Sequence, residues 1–208
     1  MTREEADRAP ADSAILHFGS IASWTAPGDR HILGLASRMR GRGNVLVSYD
    51  PNVRPRLLAG PGSGRAAVER GVRIAHVAKA SEEDITWLYP GSTVTEAARL
   101  WLRLGVTVVI VTGGANGADV FMATDPALHR PAPAVTVADT VGAGDAFTAG
   151  LLASLCWHGL QSPAQLGRCQ PGDLAGVVND AALVAALACE RPGADPPTLA
   201  EFTSGRRS

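Results

Sequence analysis

Short apolar runs alternate along the chain with longer segments in which apolar residues recur at helical spacing. The runs predict β-strands over 14–18, 45–49, 73–79, 106–111 and 118–123. The longer segments predict α-helices over 28–39, 65–70, 93–104, 143–158 and 173–189, with a further helix that begins at Ser81. The run over 106–111 is apolar on both faces, which is typical of a central parallel strand. The alternation predicts an α/β fold with a mostly parallel sheet flanked by helices.

The segments between these elements are rich in glycine, proline and charge. Loops are predicted at 60–64, over 126–133, and between the last two long helices. We expect 1–208 to form a single domain, with a polar segment at 1–12 and a flexible tail at 195–208. Ligands of parallel sheets bind at the carboxyl ends of the strands. We therefore expect the chemistry in the loops after Tyr49, Lys79 and Val111, and at the helix opening near Ala143.

The composition narrows the class of protein. Of 208 residues, 46% are hydrophobic and 19% are charged, which excludes disorder of the whole chain. Lys and Arg number 19 against 20 Asp and Glu, and this balance argues against a nucleic-acid binder. The three cysteines lack the spacing of a disulfide framework or a zinc site. The N-terminus has no apolar stretch typical of a signal peptide, so we expect a soluble, cytoplasmic protein without membrane contact.

The most informative segment is DTVGAGDAFTAG at 139–150, where small residues lead directly into a long apolar helix. Gly142, Ala143 and Gly144 allow a ligand to approach the backbone, and the first amides of a helix have no internal partner. Together they predict a cradle for an anion or a phosphate. Asp145 would repel a phosphate, unless it accepts a proton beside a transferring phosphoryl group. The alternative is a glycine-rich helix start whose aspartate is stabilised by the helix dipole.

The segment DTVGAGDAFTAGLL at 139–152 resembles the C-terminal signature of the PfkB/ribokinase family of sugar kinases. Other segments resemble that family in the right order, several of them its fructokinase branch: HFGSIA at 17–22, DPNVRP at 50–55, KASEED at 79–84, VTGGANGA at 111–118 and NDAA at 179–182. The resemblance covers nearly the whole chain. It implies a ribokinase-like fold of three layers, and ATP-dependent phosphoryl transfer to the hydroxyl of a small sugar.

The resemblance also implies roles for particular residues. Asp145 would be the general base, and the amides of 142–144 would form an anion hole for the developing charge. Ser81 and Asp84 match the positions of the family's N-x-x-E motif, which helps to organise Mg²⁺ and the phosphates of ATP. The contact of Asp84 with Mg²⁺ would be indirect. For Ser81 and Asp84 the alternative is an ordinary helix N-terminus with its cap.

Two further groups of residues match the nucleotide side of the family. Thr112, Gly114 and Gly117 match the loop beside the nucleotide phosphates and ribose, although a tight turn after a core strand would use the same residues. Asn179 falls where family members contact the adenine. Its alternative is a polar residue on a helix surface.

Asp139 and Arg54 have family counterparts near the active site. Asp139, helped by the carbonyl of Val141, matches the ligand of a monovalent cation such as K⁺, and a simple loop aspartate is the alternative. Arg54 matches an arginine near the substrate in fructokinase-like members, and a solvated loop arginine is the alternative.

The chain departs from the family pattern at its beginning. It lacks the N-terminal strands, the Gly-Gly sugar signature and the β-sheet lid, so it resembles the C-terminal two-thirds of a sugar kinase. The residues that would identify the sugar are therefore missing. Two functions stay open: the catalytic part of a fructokinase-like kinase, and a non-catalytic remnant that binds nucleotide only or serves as an interaction module. A homodimer is left open as well.

Overall fold

The computed structural model describes residues 14–123 and 126–206, so the predicted polar segment 1–12 lies outside the described residues. Its strands are β1 Ile15–Gly19, β2 Leu46–Asp50, β3 Val77–Ser81, β4 Val108–Thr112, β5 Ala118–Phe121 and β6 Leu128–Arg130. Its helices are α1 Gly28–Gly41, α2 Pro61–Val72, α3 Glu82–Leu88, α4 Val94–Arg103, α5 Ala143–Trp157, α6 Pro163–Leu166, α7 Pro171–Cys189 and α8 Leu199–Gly205.

The six strands form one sheet in which they follow each other in chain order. β1, β2, β3 and β4 pair in parallel, whereas β5 and β6 are antiparallel to their neighbours. All residues of β4 except Thr112 are buried, as expected for a β-branched strand inside a sheet. The prediction of a mostly parallel sheet is confirmed, with an antiparallel edge added to it.

Helices cover both faces of the sheet because alternate strand residues point to opposite sides. Val109 and Val111 of β4 belong to a core that also contains residues of α1, α2, α3 and α4, among them Leu35, Val68, Ile85 and Trp101. Val108 and Ile110 belong to a second core with α5 and α7, among them Phe147, Leu151, Leu174 and Val177. The predicted arrangement of three layers is therefore confirmed.

Two helix starts lie where the sequence predicts them. The Ser81 hydroxyl accepts from the Asp84 amide at 3.0 Å, and the Thr93 hydroxyl accepts from the Glu96 amide at 3.2 Å. In both cases the acidic side chain accepts in return from the backbone amide of the cap residue, which completes a capping box. These caps satisfy amides that the helix itself leaves without a partner.

The prediction of a loop over 60–64 is wrong, because α2 begins at Pro61. Proline suits the first position of a helix, where its missing N–H is not needed. Gly64 serves packing rather than a turn, since a Cβ there would lie 2.4 Å from the ring of Trp87. Glycine and proline therefore mark the start of a helix at this place.

Two other segments are more ordered than the sequence predicts. The segment 126–133, predicted to be irregular, contains β6, which pairs with β5 through Leu128, His129 and Arg130. The segment 195–208, expected to be a flexible tail, contains α8. The Phe202 side chain of α8 is buried, and its ring stacks on that of Trp157 with 5.4 Å between the centroids.

Helix α7 is long and apolar enough to cross a membrane by length and composition. In this fold Leu174, Val177 and Val178 of α7 pack in the core shared with α5 and the sheet. A core helix passes the same test, so this feature is weak support for a membrane span.

Candidate active site

The segments that carry the predicted chemistry meet at the carboxyl ends of the parallel strands. Gly19 at the end of β1 lies beside Asp50 at the end of β2, and Ser81 at the end of β3 lies beside Thr112 at the end of β4. Helix α5 starts above the same edge, since the Lys79 ammonium lies 3.5 Å from the Gly144 carbonyl oxygen. The site therefore lies where an open parallel sheet binds its ligands.

The start of α5 exposes backbone amides and one carboxylate. Gly142 caps the helix with a φ of +80°, a left-handed conformation that favours glycine. The Ala143 amide donates to the Thr140 carbonyl at 3.2 Å, so this turn already uses one of the three amides predicted for the anion hole. Within residues 14–123 and 126–206, no acceptor is found for the amides of Gly142, Gly144 and Asp145. The Asp145 side chain is exposed beside them.

A buried polar cluster lies directly beneath this turn. The Lys79 ammonium donates to Oδ2 of Asp50 at 2.9 Å, and both side chains are at most 7% exposed. The Thr148 hydroxyl lies 3.2 Å from the same oxygen and 3.0 Å from the Gly144 carbonyl. None of the sequence motifs assigns a role to Asp50, Lys79 or Thr148. The sequence feature that could have indicated this cluster is a lysine within an apolar strand, at the same sheet edge as an aspartate that ends the neighbouring strand.

Ser81 and Asp84 form the cap of α3 and also hold the loop that follows β2. Oδ2 of Asp84 accepts from the Ser81 amide at 3.1 Å, and Oδ1 accepts from the Val53 amide at 2.9 Å. Burial raises the pKa of Asp84, against these hydrogen bonds, which lower it. Each oxygen accepts one backbone hydrogen bond and keeps further acceptor capacity, so the indirect contact of Asp84 with Mg²⁺ stays a prediction.

The loop after β4 is built on glycines with positive φ. Gly114 has a φ of +58° and Gly117 a φ of +93°. The Gly113 amide donates to the Gly117 carbonyl at 2.8 Å and closes the loop. A Cβ on Gly117 would lie 2.1 Å from the Arg130 carbonyl oxygen, so only glycine fits there. The loop can therefore lie close to β6 and to a ligand above it.

An open cleft of about 560 Å³ joins this loop to the start of α5, and we call it the α5–α7 cleft. Thr112, Gly114 and Gly117 line one side, and Ala143, Gly144 and Phe147 of α5 line another. Its remaining walls are small and apolar, from the segment 132–137 and from Ala182, Ala185, Ala186 and Cys189 of α7. The volume and the apolar lining are typical of a site for a flat organic ligand. These walls are not predictable from sequence motifs, because alanine, proline and valine side chains carry no reactive or polar group.

Asn179, Arg54 and Asp139 do not line this cleft. Oδ1 of Asn179 accepts from Nε of Arg130 at 2.7 Å, although Asn179 shares a helix face with Ala182 and Ala186. The Arg54 guanidinium folds back onto its own loop and donates to the Asn52 carbonyl at 3.1 Å and to the Asn52 side chain.

Asp139 joins two loops at the far side of the α5 start. Its carboxylate accepts from the Val141 amide at 3.0 Å and from the Gly193 amide at 2.8 Å. These backbone hydrogen bonds hold the pKa of Asp139 below its usual value. The role of Asp139 as the ligand of a monovalent cation stays a prediction, because both backbone contacts of its carboxylate are to N–H groups. In the part of the chain that the structure describes, no three His, Cys, Asp or Glu side chains are grouped to hold a metal.

Comparison with known proteins places the chain in a family. The model of the pfkB family carbohydrate kinases matches residues 3–200. The chain belongs to this family. It is 35% identical over 155 residues to a fructokinase from Rhizobium leguminosarum bv. trifolii, an alignment that covers 74% of this chain and 47% of that protein. The resemblance inferred from the motifs is thereby confirmed.

Solved structures of pfkB-type kinases share this fold. A fructokinase from Xylella fastidiosa with bound ATP matches with a TM-score of 0.84 and 26% identity, over 93% of this chain and 61% of that one. A double mutant of the fructokinase from Vibrio cholerae O395, solved with fructose, ADP and a potassium ion, matches with a TM-score of 0.79 and 28% identity. This alignment covers 96% of the present chain and 63% of the Vibrio cholerae chain. The chain spans about half the length of the fructokinases it matches by sequence.

Proposed function

We propose that the chain carries the nucleotide-binding and base-bearing part of a carbohydrate kinase, which transfers a phosphoryl group from ATP to a sugar hydroxyl. The observation that carries this proposal is the start of α5. An exposed carboxylate, Asp145, lies there beside the amides of Gly144 and Asp145, which lack an acceptor in the described chain. The α5–α7 cleft opens onto the same turn.

In this proposal Asp145 accepts the proton of the sugar hydroxyl as its oxygen attacks the terminal phosphate. A general base must lie within hydrogen-bond reach of that proton. The amides at the helix start stabilise the charge that develops on the transferred group, an effect that is usually the largest in such catalysis. Because the Ala143 amide donates to the Thr140 carbonyl, the anion hole uses the amides of Gly142, Gly144 and Asp145, and the left-handed Gly142 shapes the turn.

The nucleotide would lie along the α5–α7 cleft. Its phosphates would meet the start of α5 and the 112–117 loop, and its base would lie on the small side chains of α7. Mg²⁺ bound to the phosphates would neutralise part of their charge, with Ser81 and Asp84 ordering its water shell. A monovalent cation, K⁺ in the Vibrio cholerae structure, would be bound by Asp139. Asn179 stays a candidate for the rim of the base site.

The acceptor would be a small sugar, as the names of the fructokinase relatives suggest. Arg54 is the candidate contact to it, and a cytoplasmic location fits these substrates.

A second function has a specific observation in its favour. The Arg54 guanidinium folds back onto its own loop, where it donates to the Asn52 carbonyl, rather than towards an acceptor sugar. This favours a chain that binds nucleotide without transferring phosphate.

Nucleotide binding is the first test. Calorimetry with ADP and Mg²⁺, on a sample shown to be folded by circular dichroism, should give a saturable heat and a rise in Tm. The variant Gly117→Ala tests the 112–117 loop. Its added Cβ would clash with the Arg130 carbonyl and displace the loop, so ADP should bind more weakly. The absence of both heat and thermal shift at millimolar ADP would overturn the proposal.

Sugar-dependent release of ADP separates the two functions. We expect the chain alone to phosphorylate fructose or ribose barely or not at all. Positioning of the hydroxyl can account for roughly 7–11 kcal/mol of such a barrier, and an open site admits water. A purified monomer with kcat above about 1 s⁻¹ would contradict this expectation.

The role of Asp145 is tested after an N-terminal sugar-binding part from a fructokinase relative has been joined to the chain. Asp145→Asn should then lower turnover by at least about 100-fold while the affinity for nucleotide stays nearly unchanged. Unchanged turnover would mean that Asp145 is not the base and only interacts with the positive end of the helix dipole.

A further inference from the structure

The buried cluster beneath the start of α5 is unusual in its surroundings. Asp50 and Lys79 lie at the ends of two central strands and are each about 5% exposed. Val77, two residues before Lys79, faces the core shared with α5 and α7, so Lys79 extends towards the same layer. Replacing a buried ion pair by apolar groups is often neutral or stabilising. Stability alone therefore does not explain why this pair lies here.

The cluster converges on one backbone group, the Gly144 carbonyl. The Lys79 ammonium lies 3.5 Å from this oxygen and the Thr148 hydroxyl 3.0 Å from it. Asp50 holds both donors, at 2.9 Å from Lys79 and 3.2 Å from Thr148. The Thr148 hydroxyl has a single proton and shares it between the two acceptors, so Lys79 is the donor that can serve both at once.

The carbonyl that these donors hold is coupled to the proposed anion hole. In a planar trans peptide the carbonyl oxygen and the amide hydrogen point in opposite directions. Donors below the Gly144 carbonyl therefore direct the Asp145 amide away from the sheet, towards the open end of the helix. A first turn with glycine at 142 and 144 has the backbone freedom to lose this orientation.

We infer that Lys79, held in place by Asp50 and Thr148, is a positioning residue for the α5 start: it fixes the direction of the Asp145 amide and, with it, the place of the Asp145 carboxylate. The role of this anchoring in catalysis rests on the proposed function. The anchoring itself exists in the protein without ligand and can be tested there. Lys79 lies beneath the backbone and need not touch the substrate.

The first measurement needs no ligand. The Ala146 amide donates to the Gly142 carbonyl at 2.8 Å, so its hydrogen exchange reports opening of the first turn. Lys79→Met should speed this exchange at least about tenfold. The matched control is Ser154→Ala, which removes a buried hydroxyl further along the same helix and should leave the Ala146 exchange unchanged. Unchanged exchange in Lys79→Met would overturn the inference, whether or not the chain binds nucleotide.

The second measurement asks whether the loosened turn affects phosphate recognition. Lys79→Met should weaken binding of a non-hydrolysable ATP analogue with Mg²⁺ about tenfold, and binding of AMP much less. If Lys79→Met only destabilised the fold, the affinities for the ATP analogue and for AMP would fall equally, and that result would contradict the inference. If the unaltered chain binds neither nucleotide, the proposed function fails while the exchange result still decides the anchoring. If Lys79→Met does not fold, the double variant Asp50→Asn with Lys79→Met replaces it, since it removes both charges of the buried pair together with the Lys79 donor. Normal exchange of Ala146 in that double variant would then overturn the inference.

Discussion

Two buried aspartates lie near opposite ends of helix α5, and each is the centre of a polar cluster. Asp50 lies under the first turn, where it accepts from Lys79 and Thr148. Asp180 of α7 lies against the last turns, where Oδ2 accepts from Ser154 at 2.7 Å. Oδ2 also lies 3.4 Å from Nε2 of His158, and Nε of Arg206 lies 3.0 Å from Oδ1. Each aspartate is at most 5% exposed.

The cations of the two clusters differ in their exposure and in what they hold. Lys79 is buried and reaches a backbone carbonyl next to amides for which the described part of the chain offers no acceptor. The Arg206 side chain is 49% exposed and follows α8, so its ion pair joins that helix to α7. Similar side-chain chemistry therefore lies beneath the proposed phosphate-binding turn at one end of α5 and joins helices at the other. The comparison predicts that changes in the first cluster affect function and stability, and changes in the second affect stability only.

The largest effect is expected from Lys79→Met. It leaves the buried Asp50 carboxylate without its cation, which typically costs about 3–5 kcal/mol of unfolding free energy. Urea unfolding of the variant against the unaltered chain measures this loss. A loss below about 1 kcal/mol would mean that water reaches Asp50 and that the pair is not buried in solution.

The double variant Asp50→Asn with Lys79→Met sharpens this result. It removes both charges, so most of the lost stability should return. The Lys79 donor to the Gly144 carbonyl is still missing, so exchange of the Ala146 amide should stay fast. Recovery of both stability and protection would mean that the cluster serves packing alone, like the one around Asp180.

A smaller effect comes from His76, which belongs to neither cluster and has to be separated from them in any acid titration. Burial, helped by the charge of Arg40, lowers the pKa of His76 to about 4 from a usual 6.5. Its Nδ1 accepts from the Val47 amide at 3.0 Å, which requires the neutral ring. The unfolded chain binds the proton first, so stability should be complete above pH 6.5 and fall as the pH drops towards 4. The total loss is roughly 3 kcal/mol.

His76→Asn keeps a side-chain acceptor for Val47 and cannot titrate. Urea unfolding between pH 7 and pH 4 should therefore show a weaker decline for His76→Asn than for the unaltered chain. The decline that remains belongs to the carboxylates, including those of the two clusters. An equally steep decline in both proteins would show that His76 does not titrate in this range.

Sequence patterns predict the order of elements well, because each strand and helix carries its own apolar spacing. Strand β4 and the caps at Ser81 and Thr93 are local features, and the structure contains them. The missed elements depend on contacts that are distant in sequence. β6 has three residues between Pro126 and Pro131 and forms because β5 lies beside it. The glycines before Arg65 indicate a loop by composition, but Gly64 is required by the ring of Trp87.

The candidate site divides in the same way. Gly142–Asp145 and the 112–117 loop are visible as motifs, and the α5–α7 cleft brings the two together. The clusters around Asp50 and Asp180 are not visible, because Asp50 and Thr148 are 98 positions apart. Three pieces of chain must fold before the Lys79 ammonium meets a carbonyl, and no local pattern encodes that meeting.

Ser154→Ala probes the second cluster directly. It deletes a fully buried hydroxyl that donates to Asp180 at 2.7 Å, and a hydrogen bond to a charged group contributes about 2 kcal/mol. Urea unfolding should show that loss, while the affinity for ADP, measured by calorimetry, should not change. A matching loss of ADP affinity would mean that the far end of α5 controls its start, and the comparison between the two clusters would then fail.

Arg206→Gln should give the smallest effect and separates the two cations most clearly. With the Arg206 side chain 49% exposed, its pair with Asp180 is screened by solvent, and such pairs contribute about 0–1 kcal/mol. The Asp180 carboxylate keeps its donor from Ser154 and its contact with His158, so it is not left unsolvated. Whatever loss occurs should shrink further in 1 M salt, where the screening length falls to about 3 Å. The loss caused by Lys79→Met should persist in the same salt, because its pair is buried. Urea unfolding at low and high salt measures the loss of unfolding free energy in both variants. If that loss in Arg206→Gln is as large and as insensitive to salt as in Lys79→Met, the two clusters are equivalent.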